Sequence, residues 1–194
     1  GITSHDAIGI CRRILKERRI GHSGTLDPLA YGVLPIFVGK ATRAIEYTES
    51  IGKTYVAECK LGIETDTEDS TGNVLRAMDI SKAPSWDVLE QAVQAFQGSI
   101  EQRPSKYSAI KINGQRAYDL ARAGVEFTLP SRLIHIYDIE LLAYAFPFFT
   151  IRVRCSAGTY VRALLRDICQ QLDLCGMMTQ LCRTDVGQCD IEQS

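Results

Sequence analysis

The sequence predicts an α+β domain with a mixed, largely antiparallel sheet flanked by helices, and three observations carry that reading. Stretches that alternate apolar and polar residues outnumber stretches with helical spacing. The two kinds follow one another in irregular order, without the steady strand and helix repeat of a doubly wound parallel sheet. No internal repeat or low-complexity linker divides the 194 residues, a length suited to one sizeable core. A single domain over residues 1–194 is therefore expected.

Ser4 is placed to cap a first helix, with Ala7, Ile8, Cys11, Ile14 and Leu15 on one face and Arg12, Arg13, Lys16, Arg18 and Arg19 elsewhere. Those cations make either a solvated face or a phosphate contact. From Lys53 to Leu61 the chain alternates, Tyr55, Ala57, Cys59 and Leu61 against Thr54, Val56, Glu58 and Lys60, which predicts a strand. A polar loop follows from Glu64 to Gly72. Ser85 then caps a helix bearing Val88, Leu89, Val93 and Phe96, with Gly98 just past its end.

Tyr107 to Ile112 reads as extended and meets Asn113-Gly114, a pair suited to a tight primed turn. A short helix from Ala117 to Arg122 follows, closed by Gly124. Alternation at Phe127 to Leu129, Leu133 to Leu141 and Phe149 to Cys155 predicts further strands. Thr159 opens a helix that carries Val161, Leu164, Leu165, Ile168 and Leu172.

With 45% hydrophobic and 23% charged residues, and no apolar run near the roughly 20 residues of a membrane-spanning helix, a soluble cytoplasmic protein is expected. The net charge of -1 argues against a uniformly basic nucleic-acid binder but leaves room for a local basic surface. Seven cysteines, odd in number, irregular in spacing and preceded by no secretory signal, read as reduced thiols. Zinc at Cys169, Cys175, Cys182 and Cys189 is disfavoured, because none forms a C-x-x-C pair and no histidine lies nearby. Because the first residue is Gly1 and not methionine, the chain is expected to be a piece of something longer.

The most informative segment runs from Gly21 to Ala30, where two glycines permit unusual backbone angles and Pro28 restricts Asp27 to an extended conformation. Taken alone it is either an ordinary turn or a stiff loop presenting one carboxylate. In Gly158-Thr159-Tyr160-Val161-Arg162, the cation falls in the first turn of a helix, where the dipole disfavours it. It is either a surface arginine or one with an anionic partner.

Together these segments resemble the TruB family of tRNA pseudouridine synthases, over nearly the whole chain from Gly1 to about Asp190. Gly1-Ile2-Thr3-Ser4 resembles the end of that family's first motif, and Gly21 to Ala30 its catalytic loop, with Asp27 on the catalytic aspartate. Lys53-Thr54-Tyr55, Leu61-Gly62, Thr65-Asp66-Thr67 and Asp69-Ser70-Thr71-Gly72 are similar to the second motif, which puts Tyr55 against the target base. Gly158 to Arg162 resembles the third, whose arginine pairs with the aspartate, and Leu181-Cys182-Arg183 a later stretch whose leucine lines the pocket.

The resemblance implies Asp27, Tyr55 and Arg162 as catalytic residues, and His22, Tyr160, Leu181, Lys40, Arg43 and Asp69 as substrate-binding ones. Lys40 and Arg43 fall at the start of a helix after Gly39, and Asp69 is placed to hold His22 when RNA is absent. Without the resemblance Tyr55 reads as core packing and His22 as a loop histidine. The implied fold is the pseudouridine synthase catalytic fold with an RNA-gripping insert at about residues 102–130, and the family's C-terminal RNA-binding domain is absent from the sequence. Where the family shows two adjacent prolines, Pro104-Ser105-Lys106-Tyr107-Ser108-Ala109 has one, which is expected to loosen the insert.

The implied activity is isomerisation of a flipped-out uridine in the T-arm stem-loop of tRNA (position 55) by a monomer with no protein partner. Asp27 either adds to the uracil ring or assists at the sugar carbon. Such an isomerisation needs no metal and no organic cofactor. The rival readings are a non-catalytic RNA-binding or RNA-folding module and a hydrolytic base-removing enzyme.

Overall fold

The structure, a computed structural model, describes residues 2–48, 51–108, 110–112 and 114–193. In chain order these form α1 (Ser4–Leu15), β1 (Ile20–His22), β2 (Tyr31–Gly32), β3 (Ile36–Val38), a 3-10 helix (Gly39–Ala44) and α2 (Ile45–Thr48). Next come β4 (Lys53–Leu61), β5 (Ile63–Thr65), β6 (Val74–Ala77), α3 (Trp86–Gln94), β7 (Gly98–Gln102), β8 (Lys111–Ile112), β9 (Gln115–Arg116) and α4 (Ala117–Arg122). The chain continues through β10 (Arg132–Ala145), β11 (Phe148–Cys155), α5 (Val161–Gln171), β12 (Gly176–Val186) and β13 (Cys189–Asp190).

The alternation from Lys53 is the spine of the main sheet, whose order is β13-β12-β4-β11-β10-β7. Every neighbouring pair along that path is antiparallel, and β2 joins β12 in parallel, so the sheet is mixed and largely antiparallel as expected. Along β4 the positions Lys53, Tyr55, Ala57, Cys59 and Leu61 are buried in strict alternation. Leu164, Leu165 and Ile168 of α5, and Leu89 and Val93 of α3, close that face of the sheet. Each such side chain contributes about 1.5–3 kcal/mol by leaving water.

This core fixes the site through two connections. β1 and β3 pair antiparallel from Ile20↔Val38 to His22↔Ile36, so the segment carrying Asp27 is the loop of a hairpin, closed at its neck by Ser23 N–H donating to the Pro35 carbonyl at 3.1 Å. The far side of that loop is β2, laid beside β12 with Gly32 opposite Arg183. Gly32 has φ +107, and a Cβ there would collide with the Arg183 backbone carbonyl, which is why the position takes glycine.

Several expectations need correction. Thr3, not Ser4, caps α1: its hydroxyl accepts from Asp6 N–H, and the Asp6 carboxylate accepts from Thr3 N–H. Ser4 instead accepts from Leu26 N–H at 3.0 Å and so ties the helix start to the loop of Asp27. Ile14 and Leu15, read as part of an inward face, are 72% and 53% exposed, because α1 extends past the core at its C-terminal end.

Among the described residues Phe127 to Leu129 finds no partner strand and forms no ladder, although Leu129 is buried. Only Lys111–Ile112 of the predicted extended run is strand, and the run's Ala109 and the turn's Asn113 lie outside the described residues. The loop from Glu64 includes a short hairpin of β5 and β6. Strands β7 and β12, like the short β1, β2, β3, β6 and β13, lie outside the alternating stretches of the sequence.

Replacing Gly32 with Ala is expected to lower stability by about 1–3 kcal/mol, from backbone strain and from displacing β2. Urea unfolding reads the effect directly; an unchanged midpoint would contradict the role given to the β2–β12 contact.

Candidate active site

Arg162 sits in the first turn of α5 and is almost wholly buried, its side chain 7% exposed against 36% for Asp27. Its Nε lies 2.9 Å from Asp27 Oδ2, and Nη2 donates to Oδ1 at 3.2 Å, a two-pronged contact that fixes the carboxylate plane. The remaining donors reach the Thr67 carbonyl at 2.8 Å, the Tyr107 carbonyl at 3.2 Å and Asp69 Oδ2 at 3.5 Å. The position that opposes the helix dipole is thus offset by two carboxylates and two carbonyls from three separate segments.

Asp69 is itself held, its Oδ1 accepting from Thr67 Oγ1 at 2.8 Å, Thr71 N–H at 2.9 Å and Thr71 Oγ1 at 2.6 Å. The expected Asp69 contact with His22 is not formed: Asp69 faces Arg162, and His22 Nδ1 is buried without a hydrogen-bond partner among the described residues. A permanently charged guanidinium outcompetes a neutral imidazole for that carboxylate. Burial, reinforced by the nearby Arg183 and His5, pulls the His22 pKa below its ordinary 6.5.

Asp27, Tyr55, Tyr160, Arg162 and Leu181 line one cavity of about 120 Å³, together with Thr25, Leu26, Thr159 and Val161. A wider, polar cavity of about 420 Å³ shares Thr25, Tyr55 and Thr159 with it and adds His22, Lys53 and Arg183. A slot that sets the Tyr55 ring and Leu181 beside one carboxylate suits an aromatic ring, and the polar annex suits the charged backbone that such a ring would hang from. Burial pushes the Tyr55 phenol up, against the opposing Arg183 guanidinium, so it presents a neutral ring and hydroxyl.

Tyr160 is positioned through its backbone. Gln102, fully buried at the end of β7, accepts from Tyr160 N–H at 2.8 Å and donates to its carbonyl at 3.0 Å. The Tyr160 ring lies beneath the Arg132 guanidinium at 5.3 Å. Lys40 and Arg43 are exposed on the 3-10 helix after Gly39 and line neither cavity. They belong to the neighbouring surface rather than to the slot.

Two residues that the sequence reading did not single out prove structural to the site. Gln102 is one. Arg183 is the other: 1% exposed on β12 opposite Tyr55, it donates to the Val33 carbonyl at 2.8 Å and the Gly24 carbonyl at 3.0 Å, pinning both ends of the Asp27 loop. Its signal was the cation in an otherwise apolar Leu181-Cys182-Arg183 run. A groove of about 600 Å³ also lies in the insert, lined by Lys111, Arg116 and Leu120, but it holds no arrangement comparable to the Asp27–Arg162 pair.

The seven cysteines carry free thiols, with Cys59 and Cys169 Sγ atoms 3.7 Å apart in the core. Among the described residues no group of histidine, cysteine and carboxylate side chains is arranged to hold a metal ion, and no helix is long and apolar enough to cross a membrane.

Residues 12–161 match the model of the family described as TruB family pseudouridylate synthase (N terminal domain). The chain is 44% identical to tRNA pseudouridine synthase B of Streptococcus mutans, over all of this chain and 68% of that protein. It is 45% identical to the protein of the same name from Clostridium acetobutylicum, over 96% of this chain and 64% of the other. The chain thus spans about two thirds of the length of these curated relatives. Among solved structures, a Cbf5-Nop10-Gar1 complex aligns with a TM-score of 0.74 and 30% identity, covering 97% of this chain and 47% of that one. An H/ACA RNP bound to a substrate RNA containing 2′-deoxyuridine aligns at 0.70 and 29% identity, covering 96% and 44%.

A histidine whose folded pKa lies below its unfolded value binds fewer protons when folded. The stability tied to it is complete above the unfolded value and is lost as pH falls through the folded one. His22 is therefore expected to titrate below 6.5 by NMR, and the chain to lose stability as pH drops beneath that value. A His22 midpoint at or above 6.5 would contradict its buried, unpartnered setting.

Proposed function

The chain belongs to the TruB family of pseudouridylate synthases, and on that premise we propose that it isomerises a uridine in the T-arm of tRNA to pseudouridine, with Asp27 at the reacting centre. The observation that carries the reading is the two-pronged Arg162–Asp27 contact at the floor of a slot walled by Tyr55 and Leu181. Catalysis by a single carboxylate requires that group to be held at a fixed angle to a base, and the guanidinium does that.

In this reading the target uridine leaves its stack, at a cost of a few kcal/mol, and enters the slot against Tyr55. Asp27 then acts at the uracil ring or at the sugar carbon. The bond between the ring nitrogen and the sugar breaks, the ring turns, and a carbon–carbon bond forms, while the ring carbon loses a proton and the freed nitrogen gains one. No atom is transferred away and no oxidation state changes overall, so the step calls for no redox cofactor. The raised phenol pKa of Tyr55 favours stacking and hydrogen bonding over a role as a pre-formed phenolate base.

His22 faces the polar annex as a neutral imidazole with a ring nitrogen to spare, which suits a contact to the nucleotide backbone or to the vacated stack. Lys40 and Arg43 supply cations beside the site for the flanking phosphates, and Tyr160 and Asp69 shape and brace the slot. The insert at about residues 102–130 is the part we take to grip the stem-loop. We place the protein in the cytoplasm, working as a monomer.

The direct test is incubation with an unmodified tRNA transcript, digestion and nucleoside analysis by mass, with Asp27→Asn alongside. Pseudouridine from the parent, none from the variant, and RNA affinity within about threefold between them are expected, since the substitution keeps the shape and removes the carboxylate. Near-normal turnover by Asp27→Asn would sink the assignment. Binding without product from the parent would favour a non-catalytic RNA-binding module, and free uracil a hydrolase.

A further inference from the structure

One turn beyond Arg162 on the same face of α5 stands Arg166, and the two arginines tie the same two segments to the helix. Arg162 takes the Thr67 and Tyr107 carbonyls; Arg166 takes the Glu68 carboxylate and the Arg103 carbonyl, the latter at 3.0 Å. Asp167 adds a flanking contact to Arg166 at 2.7 Å. Residues 67, 68 and 69 thus address the helix in alternation: the Thr67 carbonyl and the Asp69 carboxylate to Arg162, the Glu68 side chain to Arg166.

Glu68 combines several unfavourable features. Its backbone is left-handed, with φ +64, which a non-glycine residue adopts only under strain. Its Oε2 is buried with no partner of full hydrogen-bond geometry among the described residues, the Ser105 hydroxyl giving the carboxyl only a weaker contact. Burial pushes its carboxyl above the usual range even though the Arg166 guanidinium opposes the shift. A buried ion pair that leaves one partner disfavoured in its charged form is a poor source of stability. Strained, incompletely satisfied residues persist where geometry is being enforced, and the geometry next to Glu68 is that of Arg162: the Glu68 carbonyl accepts from Met178 N–H at 3.0 Å, Ser70 N–H returns a bond to the Met178 carbonyl at 2.9 Å, and the Thr67 carbonyl is presented to the guanidinium.

We propose that Glu68 and Arg166 are a positioning pair that sets the angle of the Arg162 guanidinium, and through it the Asp27 carboxylate, by holding the 65–72 loop and the 103–107 segment against α5. The proposal rests on the pseudouridine-forming reading of the site. Neither residue lines the slot, so neither touches the substrate in this account.

The test compares Glu68→Gln, Glu68→Gly and Arg166→Gln with the parent chain, reading kcat, KM and melting temperature on a tRNA transcript. Glycine suits the left-handed backbone, so Glu68→Gly removes the carboxylate while relieving the strain and serves as the folded reference if another variant unfolds. Expected is a fall in kcat of about 10- to 100-fold with KM within about twofold, and a melting temperature closer to the parent's in Glu68→Gly, which relieves the left-handed backbone, than in Glu68→Gln. Unchanged kcat in stable Glu68→Gly, or a loss confined to the unfolded fraction, would overturn the pair alone. A parent chain that makes no pseudouridine would overturn the reading of the site and the pair with it.

Discussion

The guanidinium of Arg162 is the constraint on which the rest of the site depends. Buried at the start of a helix, it has lost hydration worth several kcal/mol and sits against an unfavourable dipole. Only the convergence of Asp27, Asp69, the Thr67 carbonyl and the Tyr107 carbonyl makes that position tolerable. These four groups come from three parts of the fold: Asp27 from the hairpin loop, Thr67 and Asp69 from the β5–β6 connection, and Tyr107 from the entry to the insert. The arginine is therefore a hub that closes only when all of those segments are in place, so the Asp27–Arg162 geometry and the completed fold arrive together.

Around that hub the main sheet acts as a template. β4 presents Tyr55 to the slot, and β12, its neighbour, presents Leu181 on the same face and Arg183 opposite Tyr55. Arg183 then gathers the hairpin loop by its Gly24 and Val33 carbonyls, while Ser4 holds Leu26 from the other side. Asp27 is thus aimed by contacts to its loop as much as by the contact to its carboxylate. Second-layer restraint of this kind keeps a catalytic group within the small tolerance that an oriented reaction demands.

Much of this was legible in the residues, and the reasons are physical. The spine strand shows itself because Lys53–Leu61 alternates without a break; the first-turn position of Arg162 leaves a surface arginine open, and its pairing with Asp27 is legible only through the family resemblance. β12 stayed hidden because bulges between Met178 and Gln180 and between Arg183 and Asp185 break its period, and because it buries a charge. Gln102 gave no local sign, since its role exists only once β7 reaches Tyr160 across the fold. Phe127–Leu129 erred the other way: three alternating residues look like a strand, but a ladder requires a neighbour. The capping error at Ser4 has the same origin, two adjacent hydroxyls of which one serves the helix and the other a distant loop.

The most direct test of the central claim is the single-turnover rate of Arg162→Lys on a tRNA transcript, with RNA affinity measured on the same sample. Lysine keeps the charge but cannot make the two-pronged contact to Asp27. The expected result is a rate reduced at least about 100-fold with affinity nearly unchanged. A lysine variant that turns over at the parent rate would show that charge alone suffices, and that the geometry of the Arg162–Asp27 pair does not govern the chemistry.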